Sequence, residues 1–462
     1  MSNAKITRRG MLRGAVSLGG AGVAAGALPG IASLASAQAG SGYKALVCVY
    51  LVGGLDNFDT VVPTDPEEYD RWADARAPLL DGYARRGDDS RTRDALLSIG
   101  AQADGRRFGL PRQMAPLHAH YGNGRMSVFA NVGPLAAPSD RPAIEAGRVA
   151  LPPRLMSHND QRSLWQTSAV EGATTGWGGR MMDAAQEASP FAAISLAGAA
   201  TFLAGTGTEP LAVSEDGFRK LHGTSHQWAY GSQEVPALLK EHYAASAASV
   251  NNLFASDLQA RRRRTVEAID TLADLAEGST IGDEVREADN SLANQLAMVA
   301  KLIGMREALG VKRQVFFVRA VSFDTHRDQA GKLPGLQTQL ARALDRFYRH
   351  TVAQGIAQDV TTFTASEFGR TLSPNSSGTD HGWGGHHFVL GGSVTGGRIL
   401  GEVPPAGFGH DRDFDQGRLI PSFSTEQYAA SLGRWFGLGS GALRDALPNV
   451  DQFEEPPLVA AI

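Results

Sequence analysis

The chain has 462 residues, with 44 basic against 48 acidic side chains, a net charge of −4, and a single cysteine. A mildly acidic chain of this kind, without a long basic tract, is a poor partner for nucleic acid, and one thiol excludes an intramolecular disulfide. The length exceeds that of most single domains, although large α/β enzymes reach it around one sheet.

Residues 1–39 read as a twin-arginine (Tat) export signal. Arg8 and Arg9 precede Met11-Leu12, an uncharged stretch rich in Ala and Gly follows, and Ala35-Ser36-Ala37-Gln38-Ala39 offers small residues for cleavage. The glycines make that stretch a poor spanning helix, and no later run of about 18 apolar residues exists, so no stable membrane anchor is expected. The Tat translocase is the expected partner during export, and the periplasm or the medium is the destination. Residues 40–462 then read as one domain with insertions.

Residues 45–52 form a continuous apolar run that stops at Gly53-Gly54, as a strand buried on both faces does. Cys48 lies inside it, where a buried structural thiol is expected. Residues 65–112 are rich in Arg, Asp and Gly with little periodicity, and read as an insertion over the sheet. Further strand-like runs fall at 126–132, 191–196, 315–321, 360–365 and 388–390. Helical periodicity marks 245–276, 284–308, 335–353 and 425–436, the last behind a capping box of Ser424 and Gln427. The run Arg261 to Arg264 reads as a solvated helix face paired with Glu267 and Asp270. Residues 372–385 read as a glycine-rich loop between two strands. Strands interleaved with long helices predict a three-layer α/β/α sandwich with a mostly parallel central sheet.

In an open α/β sheet, ligands bind beyond the carboxyl ends of the strands, so polar residues there carry the functional argument. Asp56 follows the first strand and its Gly pair. Ser157 precedes a short helical pattern, where it reads either as an N-cap or as a hydroxyl activated beside a helix N-terminus, with His158 next to it. The segment Gly176-Trp177-Gly178-Gly179-Arg180 predicts a tight backbone approach. Asp324 and His326 follow the run at 315–321 and offer an oxygen and a nitrogen to one cation. Glu367 and Arg370 follow the run at 360–365, as a metal ligand beside an anion clamp or as an ordinary ion pair. Residues 378–387 then place Asp380, His381 and His386 among glycines, a density of ligand types that a surface loop has little structural use for. The summed set is Asp56, Asp324, His326, Glu367, Asp380, His381 and His386. It holds carboxylates and imidazoles without a thiolate, which suits Zn, Mn or a pair of hard cations.

These residues resemble a bacterial family, that of domain of unknown function 1501. The likeness rests on the twin-arginine leader, Val-Gly-Gly-Leu-Asp-Asn-Phe-Asp-Thr-Val-Val-Pro at 52–63, and Ser-His-Asn-Asp-Gln at 157–161. It continues in Phe-Asp-Thr-His at 323–326, Ser-Glu-Phe-Gly-Arg-Thr at 366–371, and Gly-Thr-Asp-His-Gly-Trp-Gly-Gly-His-His-Phe at 378–388. The resemblance implies an alkaline-phosphatase-like fold of the sulfatase superfamily and a two-metal hydrolase site. By position it implies Asp56 as a first-strand ligand, Ser157 as nucleophile, and Asp324 with His326 after a middle strand, two apart rather than the usual four. It places the next Asp-His pair on Glu367 and Phe368, so one imidazole is missing there, with Asp380, His381 and His386 to replace it. No Cys-x-Pro-x-Arg signature surrounds Cys48, against a formylglycine sulfatase.

The expected function is therefore an exported hydrolase of phosphate or sulfate esters that uses a divalent metal (Zn, Mn, Mg or Ca). Its substrate would be a small anionic ester, clamped by Arg370 or Arg180. One alternative is a non-catalytic binding or assembly protein on the same fold, with a structural metal. A metal-free serine hydrolase using Ser157 and His158 is a further alternative, although no Gly-x-Ser-x-Gly elbow is present.

Overall fold

The apolar run at the start of the domain becomes a central strand, Lys44–Leu51 (β1), in a computed structural model that describes residues 42–102, 104–218, 234–244 and 252–455. The twin-arginine segment, and residues 245–251 of one predicted helix, lie outside the described residues. β1 belongs to a nine-stranded sheet. In chain order its other strands are Met126–Gly133 (β2), Ala193–Ser195 (β3), Leu211–Ala212 (β4), Arg313–Ala320 (β5), Val360–Ala365 (β6), Gly385–Gly391 (β7), Arg398–Leu400 (β8) and Phe423–Ser424 (β9). The spatial order is β8-β2-β7-β6-β1-β5-β3-β4, with β9 also pairing to β2. β1 is parallel to both neighbours, with Cys48 opposite Phe317 of β5 and opposite Phe363 of β6. β7 runs antiparallel to β2 and β6, and the other pairings in this sheet are parallel.

Because side chains alternate along a strand, β1 divides the core in two. Val47, Val49 and Leu51 pack with Leu296 and Leu302 of helix Ser291–Gly304 and with Leu333, Leu340 and Phe347 of helix Gln329–Ala353. Leu46, Cys48 and Tyr50 face the other way. They meet Trp165 of helix His158–Thr167 (α1), Met181 of helix Trp177–Ala184, and Tyr428 and Leu432 of helix Thr425–Phe436. Each such aliphatic side chain contributes about 1.5–3 kcal/mol on burial. The result is the α/β/α sandwich with a mostly parallel sheet that the sequence predicts. Cys48 is buried and free, and the Ser424–Gln427 capping box forms with both of its bonds. The arginine run lies on helix Leu253–Ala276, where Arg263 meets Glu267 at 3.8 Å and Arg261 and Arg264 pair with Glu209. Among the described residues no helix is long and apolar enough to cross a membrane.

Two segments depart from expectation. Residues 65–112 are not featureless: they hold helices Pro66–Ala75 and Ala77–Ala84, and Leu97–Ala101 and Arg107–Leu110 join Val62–Pro63 in a three-stranded sheet. Their charges spoil the periodicity because several are buried. Arg76 and Arg91 reach inward to Asp56 and Asp59. The predicted loop at 372–385 is instead mostly a hairpin, in which Arg370–Pro374 pairs with Thr379–His381 and sets Arg370 opposite His381.

Candidate metal centre

Parallel strands deliver their carboxyl ends to one edge, and three of them build this site. After β1 the chain turns at Gly53, whose φ of +106° is open to glycine. A Cβ there would lie 2.3 Å from the backbone nitrogen of Asp324, so the loop after β5 can sit directly on this turn. Gly53 also ties in the loop after β6: its N–H donates to Glu367 Oε1 at 3.0 Å and its carbonyl accepts from Arg370 at 3.0 Å. Helix α1 contributes its first residue, His158, from the opposite layer. Four non-glycine residues with left-handed backbone, Arg154, Met156, Ser322 and Asp328, flank the segments that carry His158, Asp324 and His326. Such strain costs of order 1–3 kcal/mol per residue and concentrates at functional sites.

Three imidazoles surround the Asp324 carboxylate. His326 Nε2 lies 3.1 Å and His381 Nε2 3.2 Å from Asp324 Oδ1, and His158 Nε2 lies 3.4 Å from Oδ2. The Nε2 atoms of His326 and His381 are 2.9 Å apart. Each ring is held from behind through Nδ1. His158 meets Glu367 Oε1 at 3.0 Å, His326 meets Asp380 Oδ1 at 3.2 Å, and His381 meets the Met156 carbonyl at 2.8 Å. All three partners are acceptors, so Nδ1 carries the proton in each ring and a neutral ring turns a lone pair on Nε2 toward Asp324. Phe368 stacks on His381 with centroids 4.2 Å apart, and His158 crosses His381 edge-on at 4.5 Å.

The electrostatics follow from these contacts. The hydrogen bond to Glu367 raises the His158 pKa above its ordinary value, against the cost of burial. Burial lowers that of His381, which favours the neutral ring. For Asp324 burial acts upward, but the hydrogen bond and charge of Arg370 outweigh it and hold the carboxyl below its usual range. Among the described residues, His158, Asp324 and His381 form a group of three potential ligands whose donor atoms all lie within 4.8 Å of one another.

The structure thus brings Asp324, His326 and His381 together, and it places the other expected residues differently. Glu367, fully buried, and Asp380 stand behind the imidazoles as hydrogen-bond acceptors. Asp56 is fully buried, and its carboxylate takes Arg76 at 2.5 Å, Gln329 at 2.7 Å and the Asp59 N–H at 3.0 Å. His386 is not in a loop: it sits within β7, and its Nδ1 accepts the Asn131 N–H at 2.9 Å, with burial pushing its pKa down to about 4. Arg370 is no open anion clamp. It is fully buried, and its guanidinium binds Asp324, the Gly53 carbonyl, and the hydroxyl and carbonyl of Thr379. Arg180 is likewise spent on the carbonyls of Ala446, Thr175 and Thr167. The tight approach predicted around it is real, since a Cβ on Gly179 would lie 2.2 Å from the Ala204 carbonyl carbon. Ser157 is the N-cap of α1 but caps no N–H; its hydroxyl donates to Asp160 at 2.7 Å.

His158, which the sequence suggests only as a base for Ser157, joins this cluster. Its place in the Ser-His-Asn-Asp-Gln motif was the available signal. The sequence did not suggest Arg162. It lies one helical turn after His158, so both face the same side, and its guanidinium approaches Glu367 Oε1 at 3.5 Å while 39% of its side chain stays exposed.

Comparison with known proteins gives three findings. The profile of a family described as "Protein of unknown function (DUF1501)" matches residues 43–447. No curated protein matches the chain. Among solved structures, similarity is found to Ps i-CgsB at 8% identity, covering 90% of this chain and 77% of that one, with a TM-score of 0.39. It is also found to the PsFucS1 sulfatase from Pseudoalteromonas sp., at 8% identity over 93% of this chain and 72% of that one, with a TM-score of 0.35.

Proposed function

The chain belongs to the DUF1501 family, and from the site its fold assembles we propose that it is a metal-dependent hydrolase of phosphate or sulfate esters, exported by the Tat route. The observation that carries this reading is the donor set itself: three imidazoles anchored through Nδ1, with every Nε2 directed at one carboxylate. Anchored rings and a shared carboxylate are what a catalytic cation requires of a protein. His158, Asp324, His326 and His381 would hold the ion, and Glu367, Asp380 and the Met156 carbonyl would orient the rings. When bound, a divalent cation would polarise the ester and offset the charge that develops on its oxygens.

The chain's own residues supply the remaining functions. Arg162, half-exposed beside His158, takes the anion-binding role expected of Arg370, because the buried guanidinium has no exposed edge to offer. The Ser157 hydroxyl already donates to the Asp160 carboxylate, which is the group placed to accept its proton during attack on the ester. Phe368 and the buried floor beneath it keep water from one side of His381.

The test is turnover of a phosphate monoester, a phosphate diester and a sulfate ester by protein loaded with zinc, manganese, magnesium or calcium. We expect one ester class to be hydrolysed, turnover to stop with chelator, and Arg162→Ala to raise KM more than it lowers kcat. Failure of every ester with every cation would overturn the hydrolase reading and favour the binding or assembly protein.

A further inference from the structure

Asp324 is approached from two sides by different kinds of group. The imidazoles of His326 and His381 meet Oδ1 at 3.1 and 3.2 Å, and the Arg370 guanidinium meets the same oxygen at 2.7 Å. With both Nδ1 atoms bonded to acceptors, the two Nε2 lone pairs stand 2.9 Å apart and repel each other unless a positive charge lies between them. The separations of 2.9, 3.1 and 3.2 Å among Asp324 Oδ1 and the Nε2 atoms of His326 and His381 match the edges of a polyhedron with metal–ligand bonds near 2.1 Å, about 3.0–3.4 Å, and the donor atoms of His158, Asp324 and His381 lie within 4.8 Å of one another. Both sets share Asp324 and His381, so one ion there uses both.

A second ion would need carboxylates of its own, and the oxygens of those nearby are already engaged. Asp56 is bound by the buried guanidinium of Arg76. Glu367 Oε1 is shared by the Gly53 N–H and His158, with Arg162 at 3.5 Å. Asp380 Oδ1 takes both His326 and Asn375. Arg370 holds Asp324 Oδ1 as a buried cation that has no route to solvent.

Resting on the reading of this cluster as a metal site, we infer that it takes one nitrogen-bound transition-metal ion, not a pair, with the guanidinium of Arg370 standing where a second cation would otherwise share Asp324. His158 joins Asp324 and His381 in that set. A shell of imidazoles with one carboxylate favours zinc and its neighbours, whereas magnesium and calcium require oxygen donors.

The experiment uses the full exported chain, purified without chelator, with metal per chain measured by mass spectrometry. The stripped protein is then titrated with zinc, manganese, magnesium and calcium by calorimetry and by thermal melts. The expected result is one equivalent of zinc, bound at least tenfold tighter than manganese, and no shift in the melt from millimolar magnesium or calcium. His158→Gln and His326→Gln should each weaken zinc at least tenfold. Two equivalents per chain, equal response to calcium, unchanged zinc affinity in His158→Gln, or no binding by any ion would each overturn the inference. Failure here is separable from failure of the hydrolase reading. One zinc bound without turnover removes the activity and leaves the site, while turnover that requires two ions per chain does the reverse.

Discussion

Replacing Asp56 by alanine distinguishes a buried structural carboxylate from a metal ligand. In the fold Asp56 is fully buried and receives Arg76 at 2.5 Å, Gln329 at 2.7 Å and the Asp59 N–H at 3.0 Å. Its loss leaves the buried Arg76 guanidinium with two carbonyls, of Thr371 and Leu372, and with Asp59 at 3.8 Å as its nearest remaining charge. Breaking one side of such a pair costs about 3–5 kcal/mol, because the stranded charge has no solvent to turn to. With unfolding entropies of roughly 2.1 cal/mol/K per residue, a domain of this length should melt about 3–6 °C lower. The drop should be the same in chelator and in zinc. Replacing both partners by apolar residues, as in Asp56→Leu with Arg76→Met, should recover most of it, since the pair as a whole contributes little net stability. Thermal melts of the three proteins, each with chelator and with zinc, make the measurement. If Asp56→Ala melts like wild type in chelator but loses the zinc-dependent shift, Asp56 is a ligand and the structural account fails.

Acid should destabilise the protein through two buried histidines of β7. Burial lowers His386 to about 4 and His387 to about 3, so between pH 6.5 and those values the unfolded chain binds more protons than the folded one. Stability is therefore full above pH 6.5 and falls below it, by about 2 kcal/mol per residue at pH 5. His387→Phe, which keeps a ring against Trp165 and Tyr428, should lose about 2 kcal/mol less than wild type between pH 7 and 5 in denaturant melts; equal losses would refute the assignment. Gly53→Ala should cost about 3 kcal/mol or more, from a φ of +106° and a 2.3 Å contact with the Asp324 nitrogen. It should also weaken zinc by displacing Asp324, and a variant with wild-type melting and zinc affinity would contradict the role given to this turn. Arg8 and Arg9 changed together to Lys should leave the precursor in the cytoplasm, because the paired guanidinium groups are the Tat recognition element; cell fractionation showing normal delivery would refute it.

The sequence by itself determined the longer strands of the sheet, the long helices behind them and the layering. Those depend on local periodicity: the uninterrupted apolar run of β1, the long amphipathic helix that ends at Ala353, and the Ser424–Gln427 cap are all written in neighbouring residues. It also singled out Asp324, His326 and His381, because strand ends gather on one edge of a parallel sheet whatever their distance in the chain. Three things were decided by the tertiary structure. Asp56 and Asp324 both follow strand ends after a short turn, yet Asp56 faces Arg76 and Asp324 faces three imidazoles, a difference set by which distant segment packs above each. His381 and His386 are five residues apart in one glycine-rich stretch, but a hairpin sends the first to the site and β7 takes the second into the sheet. His158 arrives from a helix on the far layer, and Phe368 packs flat on His381 where an imidazole was expected. Periodicity reports which residues are buried, whereas the partner of a buried charge or the lone pair of a ring is fixed by side chains that meet from hundreds of residues away.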